Sequence, residues 1–126
     1  MSKHLTHLNE RGEVHMVDIG SKSATHRRAV ATGSVSLSRT AFNCLNDGRV
    51  TKGDVLATAR IAGIMAAKRT SDIIPLCHQV PINQIELTIE LNPSQFRATI
   101  FAEVSTTGQT GVEMEALVAV STAALT

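Results

Sequence analysis

Residues 85–104 read IELTIELNPSQFRATIFAEV. Ile85, Leu87, Ile89 and Leu91 alternate with Glu86, Thr88 and Glu90. After the turn Asn92-Pro93-Ser94-Gln95 the alternation resumes at Phe96, Ala98, Ile100, Ala102 and Val104. A period of two sorts side chains onto the two faces of a pleated strand, so the pattern predicts a hairpin with one buried and one solvated face. The buried face needs a cover, and the flanking segments supply helices.

Upstream, small and β-branched residues from Arg27 to Leu37 set Val35 and Leu37 opposite Ser34, Ser36 and Ser38, which predicts another strand. Ser38 is placed to cap a short helix carrying Ala41, Phe42 and Leu45 on one face and stopped by Asn46-Asp47-Gly48. A longer helix is expected from about Gly53 to Arg69. Its stripe of Val55, Ala59, Ala62 and Ala66, beside Gly63, lets another element come close. Leu56, Ile61, Ile64 and Met65 occupy its other sides, so most of this helix is expected to be buried, with Arg60 reaching a carboxylate or the edge of the packing. Pro75 and Pro81 hold the next loop extended.

Thr110 followed by Glu113 reads as a capping box opening a last helix. After Glu115 that helix runs ALVAVSTAALT without a charge, a C-cap glycine or a closing proline. The order strand, two helices, strand, strand, helix fits an α+β, ferredoxin-like βαββαβ plan lacking its last strand, which would pair beside the first. An N-terminal arm over residues 1–26, a single domain over 27–126 and a continuation beyond Thr126 are therefore expected.

A chain of 126 residues is long enough to bury one core. With 43% hydrophobic but only 2% aromatic residues, that core is aliphatic and offers few platforms on which bases could stack. A net charge of +1 supplies no basic field for phosphate backbones, so nucleic acid is not an expected partner. Cys44 and Cys77 fit no disulfide or metal spacing, which points to a reducing, cytoplasmic setting. The polar N-terminus resembles neither a signal nor a transit peptide, and no run is long enough to span a membrane. His4 and His7 could share a metal, although solvated arm histidines are the favoured reading.

The residues that could carry chemistry cluster in the stretch 51–80, TKGDVLATARIAGIMAAKRTSDIIPLCHQV. Lys52 stands before a glycine at a helix start. It is either a solvated turn lysine or a cation at an anion-favouring helix end, with a pKa suited to proton transfer. Cys77 and His78 are neighbours in an extended segment and point apart, so they are poor partners for each other. A buried thiol suits Cys77, whereas His78 in an apolar loop needs a partner or a ligand. Glu113 has a role in the capping box and Glu115 has none visible. Lys22, Arg27 and Arg28 read as surface charge, and Cys44 as core.

Three segments, LTHLNERGEVHMVDI, KGDVLATARIAGIMAAKRTSDIIPLCH and TGQTGVEMEALVAVSTAALT, closely resemble the cyclic pyranopterin monophosphate synthase family of molybdenum-cofactor biosynthesis. The resemblance implies a lyase that converts 3′,8-cyclo-7,8-dihydro-GTP into cyclic pyranopterin monophosphate and pyrophosphate. It implies a ferredoxin-like fold and a homo-oligomer, a trimer of dimers, with pockets at dimer interfaces. Lys52 then falls on a catalytic lysine and His78 on an active-site histidine. Leu76, Cys77, His78, Glu113, Met114 and Glu115 line the substrate pocket, while Lys22 and Arg27 reach the triphosphate. No protein-bound metal is implied, although a magnesium ion can travel with the triphosphate. The family's last helix runs on into a segment with a catalytic aspartate and lysine, and this chain stops before it. A non-catalytic subunit that binds nucleotide or forms oligomers is the alternative expectation.

Overall fold

The computed structural model describes residues 5–49 and 53–126. In chain order the elements are β1 (Thr25–Ser36), α1 (Arg39–Asn46), α2 (Val55–Ala67), α3 (Thr70–Ile73), β2 (Ile82–Asn92), β3 (Arg97–Gly108) and α4 (Glu113–Leu125). The hairpin expected from residues 85–104 forms, with Leu87 opposite Ala102 and Ile89 opposite Ile100. β1 pairs antiparallel along the other edge of β3, giving a three-stranded sheet in the order β1-β3-β2. Leu87, Ala98, Ile100, Ala102 and Val104 are buried on one face under α2 and α4, whereas Val30 and Glu86 on the other face are exposed. This is an α+β architecture consistent with the ferredoxin-like plan.

Ser38 caps α1 as expected, its hydroxyl accepting from the Ala41 amide at 3.1 Å. Phe96 departs from the strand pattern. It sits in the turn at φ 50°, packs edge-on against Phe42 with ring centroids 5.8 Å apart, and lies under the Arg39 guanidinium. An aromatic contact with α1 outweighs the cost of a left-handed backbone there.

The packing of α2 differs from the sequence expectation in register. Its buried residues are Ala59, Gly63 and Ala67, spaced by four, and not the stripe of Val55, Ala59, Ala62 and Ala66. Ile61 and Met65 consequently point outward and are 58% and 55% exposed, so the helix is less buried than its composition implied. Arg60 is exposed and forms no ion pair among the described residues. Gly63 explains the choice of face. A Cβ built on it would lie 2.6 Å from Leu87 Cδ2 and 2.8 Å from the Ala119 backbone oxygen, closer than atoms tolerate. Only glycine lets α2, α4 and β2 converge at that point.

The capping box does not form. α4 begins at Glu113 itself, Val112 occupies the N-cap position, and no side chain caps it. Val112 is 1% exposed, so burial of this side chain fixes where the helix starts. Glu113 and Glu115 then both fall in the first turn, where the helix dipole favours negative charge. The short α3 and a small turn in the arm, bridged between Leu8 and Val14, have no legible periodicity in the sequence.

The close approach at Gly63 is measurable. Gly63→Ala should lower the unfolding free energy by about 1–2 kcal/mol in urea denaturation. The steric cost of overpacking, ~1–3 kcal/mol, exceeds the ~0.5–1 kcal/mol recovered by removing a helical glycine. A raised midpoint would contradict this packing.

Candidate active site

The C-terminal end of α2, α3, the stretch 74–81 and the first turn of α4 enclose a cleft of about 340 Å³, bordered by Lys68, Thr70, Ser71, His78, Gln79 and Glu115. Each wall has a local cause. Thr70 is buried and directs its hydroxyl onto the Ala67 carbonyl at 2.9 Å, closing the end of α2 and turning the chain into α3. Pro75 and Pro81 keep the next segment extended. The Thr106 hydroxyl donates to the Pro81 carbonyl and ties that segment to β3. A larger cleft of about 550 Å³ adjoins it through Lys68, Val80 and Ile82, but among the described residues Lys68 is the only titratable side chain bordering that one.

His78 and Cys77 diverge, as neighbouring residues in extended chain should. His78 Nε2 lies 2.6 Å from the Val17 carbonyl oxygen. A carbonyl only accepts, so Nε2 carries the proton, and in the neutral ring Nδ1 is the free acceptor. Nδ1 has no partner among the described residues and is not sealed from the surroundings. Cys77 turns the other way, its thiol 3.7 Å from Glu115 Oε2 and 3.5 Å from the His78 carbonyl oxygen. Burial, followed by the nearby Glu115 charge, pushes this thiol up to about 11. Cys77 is thus a hydrogen-bond donor and not a thiolate nucleophile.

Glu115 is the least ordinary group in the site. It is 3% exposed, and among the described residues its buried Oε1 has no partner and its Oε2 only the thiol. Burial raises its pKa above the usual carboxylate value. The Glu113 charge adds to that rise, while the backbone amide and the Cys77 thiol oppose it. A buried carboxyl group with one unpartnered oxygen at the edge of a cleft is a candidate for binding a ligand.

Of the other residues singled out by resemblance, Glu113 is exposed and folds over Gly111, and Leu76 and Met114 are half-buried without bordering the cleft. Lys22 and Arg27 are each tied to the C-terminal end of β3. The Gln109 side-chain amide donates to the Lys22 carbonyl at 3.1 Å, and Arg27 Nε donates to the Gly108 carbonyl at 3.0 Å. A Cβ on Gly108 would lie 3.6 Å from Val80 Cγ1, so this end of β3 adjoins the wall that carries His78. Lys52 and His4 lie outside the described residues. The glycine after Lys52 does have the left-handed backbone expected of a tight corner, φ 96°, and Asp54 caps α2.

Sequence reasoning missed Lys68, Thr70, Ser71 and Gln79 as cleft residues. The Lys68-Arg69 pair is visible as charge, but nothing local says which side of the helix end borders a cavity. The Val17 carbonyl carries no side-chain signal at all. Among the described residues no group of three metal-ligating side chains occurs, and no helix is long and apolar enough to cross a membrane.

Taken together, the α+β fold brings an imidazole, a buried carboxyl group and the Lys68 cation to one cleft, which makes it a candidate site for a polar, anion-bearing small molecule. Comparison with known proteins narrows this. Residues 16–126 match the sequence profile of the MoaC family, and the chain belongs to that family. It is 54% identical over 122 residues to a cyclic pyranopterin monophosphate synthase of Herpetosiphon aurantiacus, covering 97% of this chain and 74% of that protein. A Heliobacterium modesticaldum protein of the same name is also 54% identical, with 97% and 77% covered. One from Cereibacter sphaeroides is 52% identical with the same coverage.

Two outcomes follow from the electrostatics. A carboxyl group whose folded-state pKa is raised contributes stability that is complete below the unfolded value and lost as pH rises through the folded one. The stability of Glu115→Gln relative to the parent should therefore shift in the variant's favour as pH rises above the ordinary glutamate range, reaching a plateau once Glu115 is ionised. A pH-independent difference in denaturation experiments would count against a raised pKa. Alkylation of Cys77 by iodoacetamide, followed by peptide mass mapping, should be slow at pH 8 and accelerate up to about pH 11. Rapid modification at pH 7 would contradict the thiol assignment.

Proposed function

We propose that this chain is a cyclic pyranopterin monophosphate synthase, acting in molybdenum cofactor biosynthesis as a lyase on 3′,8-cyclo-7,8-dihydroguanosine 5′-triphosphate and releasing pyrophosphate. The observation that carries the reading is the buried, half-satisfied Glu115 beside His78, within a chain about half identical to proteins of that name. In this reading Glu115 and the His78 Nδ1 acceptor hold the purine-derived part. Lys68, together with Lys22 and Arg27 from beside the C-terminal end of β3, meets the triphosphate and offsets charge as pyrophosphate departs. Leu76, Cys77, Glu113 and Met114 complete or support the pocket, and any magnesium arrives with the substrate.

Lys52 is the acid–base group in this proposal, and the geometry of α2 favours a second copy as its source. The helix starts at Val55, after its cap Asp54, and reaches the cleft at its other end, about 20 Å along the axis for thirteen residues. A lysine preceding that start serves a cleft of this kind most directly when the cleft belongs to another protomer. The outward Ile61 and Met65 on α2, Leu117 on α4, and Val30 with Phe101 on the open sheet face are apolar surface suited to such assembly. A cytoplasmic trimer of dimers, each subunit a single ferredoxin-like domain with an N-terminal arm, is the arrangement we favour.

The test combines calorimetric binding of the cyclised nucleotide with an assay for pyrophosphate. Lys52→Ala should retain the oligomer and nucleotide binding but lose pyrophosphate release by a factor of at least about 100, as expected for loss of an acid–base group. His78→Ala and Glu115→Gln should instead weaken binding roughly tenfold or more, equivalent to one or more lost hydrogen bonds. Binding without any pyrophosphate release by the parent chain would overturn the lyase assignment.

A further inference from the structure

The chemistry above gives no defined role to the Cys77 thiol, which does not border the cleft itself but lies 3.7 Å from Oε2 of the cleft residue Glu115. It is not a nucleophile, because burial and the adjacent carboxyl group keep its proton on. It forms no disulfide, and Cys44 lies on α1, away from the cleft residues. Its position is nevertheless specific. It is the only side chain among the described residues within hydrogen-bonding reach of Glu115, 3.7 Å from Oε2, with the His78 carbonyl oxygen at 3.5 Å as the other acceptor open to its one proton, while Oε1 has no partner among those residues.

We propose that Cys77 is a positioning residue: its thiol holds Oε2 so that the Glu115 carboxyl group keeps one orientation and presents Oε1 to an N–H donor of a purine-derived ligand. The proposal rests on the preceding reading for the identity of that ligand, but the coupling between the two side chains can be tested without it. A buried carboxyl group that is offered no donor tends to stay protonated, and a neutral acid accepts from an N–H donor more weakly than a carboxylate does. A lysine or arginine in place of Cys77 would supply more charge stabilisation, but it would close the carboxylate into an ion pair and compete with the substrate. A neutral, weak donor compensates one oxygen and leaves the other available.

The surroundings of Glu115 fit this division. On its own helix the nearest acid is Glu113, whose charge opposes ionisation. From the stretch 74–81 come Cys77 and His78, and His78 directs its Nε2 proton elsewhere, to Val17. The end of α2 contributes Lys68 to the cleft, and α3 contributes Thr70 and Ser71, both uncharged. The thiol is thus the one side chain in this set whose hydrogen bond favours the ionised form of Glu115.

The deciding experiment follows the Glu115 side-chain carboxyl carbon by NMR across a pH titration. It uses the parent chain, Cys77→Ala and Cys77→Ser, with Glu115→Gln identifying the signal. Removing the donor should raise the midpoint by roughly half to one pH unit in Cys77→Ala, the equivalent of one neutral hydrogen bond. The serine hydroxyl, a stronger donor, should return the midpoint to the parental value or below it. A midpoint unchanged in Cys77→Ala overturns the proposal. So does a midpoint raised equally in Cys77→Ser, which also decides the matter if the alanine variant does not fold. Affinity for the cyclised nucleotide, measured across the same range, should fall in Cys77→Ala at lower pH and recover above its new midpoint. A loss of equal size at every pH would mean that Cys77 only fills space. If the midpoint moves as expected but no variant and no parent binds the nucleotide at any pH, the Cys77–Glu115 coupling stands and the proposed substrate is wrong.

Discussion

The approach of α2 to α4 at Gly63 is the constraint on which the remaining arrangement depends. There a Cβ would strike both the Leu87 side chain and the Ala119 backbone oxygen, so the two helices can share one layer over the sheet only because glycine stands at that position. The buried spacing of Ala59, Gly63 and Ala67 against Ala116, Ala119 and Ala123 continues the same contact along both helices. Small side chains bury little area each, at roughly 25 cal/mol per Å². Their contribution is to let backbones approach closely and fill space at crystal-like density. One consequence reaches the chemistry: the C-terminal end of α2 is held beside the N-terminal turn of α4, where the cleft lies.

The cleft is then electrostatically asymmetric in a useful way. Its carboxyl group is almost wholly buried and Lys68 stands at the border, an arrangement that leaves room for a ligand to complete the pairing. Sequestering Glu115 without a full set of donors costs stability, and such a cost is expected where a protein reserves a group for binding. His78 shows the complementary device. The Val17 carbonyl takes its Nε2 proton and thereby selects the face of the ring offered to the cleft.

Much of this architecture is legible in the amino-acid sequence. The hairpin declares itself through a period of two on either side of its turn, Ile85 to Leu91 and Ala98 to Val104, and Ser38 marks its helix by side-chain chemistry that acts locally. Where several faces of a helix are apolar, periodicity alone cannot choose among them. The buried register of α2 therefore differs from the expected stripe, and Ile61 and Met65, apolar enough for a core, face outward. Thr110 and Glu113 have the spacing of a capping box, but burial of Val112 sets the N-cap two residues beyond Thr110, a tertiary effect outweighing a local one. In the site, His78 and Glu115 stand out as polar groups lacking an evident local role. The cleft's other polar walls, Thr70, Ser71 and Gln79, do not, because they acquire meaning only when α3 and the stretch 74–81 fold back against α4. The backbone oxygen of Val17 lies beyond any reading of side chains.

The most direct measurement is a crystal structure of the chain with 3′,8-cyclo-7,8-dihydroguanosine 5′-triphosphate bound. The purine-derived ring should lie within hydrogen-bonding distance of Glu115 Oε1 and His78 Nδ1, with the phosphates running toward Lys22 and Arg27 and the Lys52 amine entering from a second copy. A nucleotide seated away from the Glu115 cleft, with Oε1 still empty, would contradict this placement.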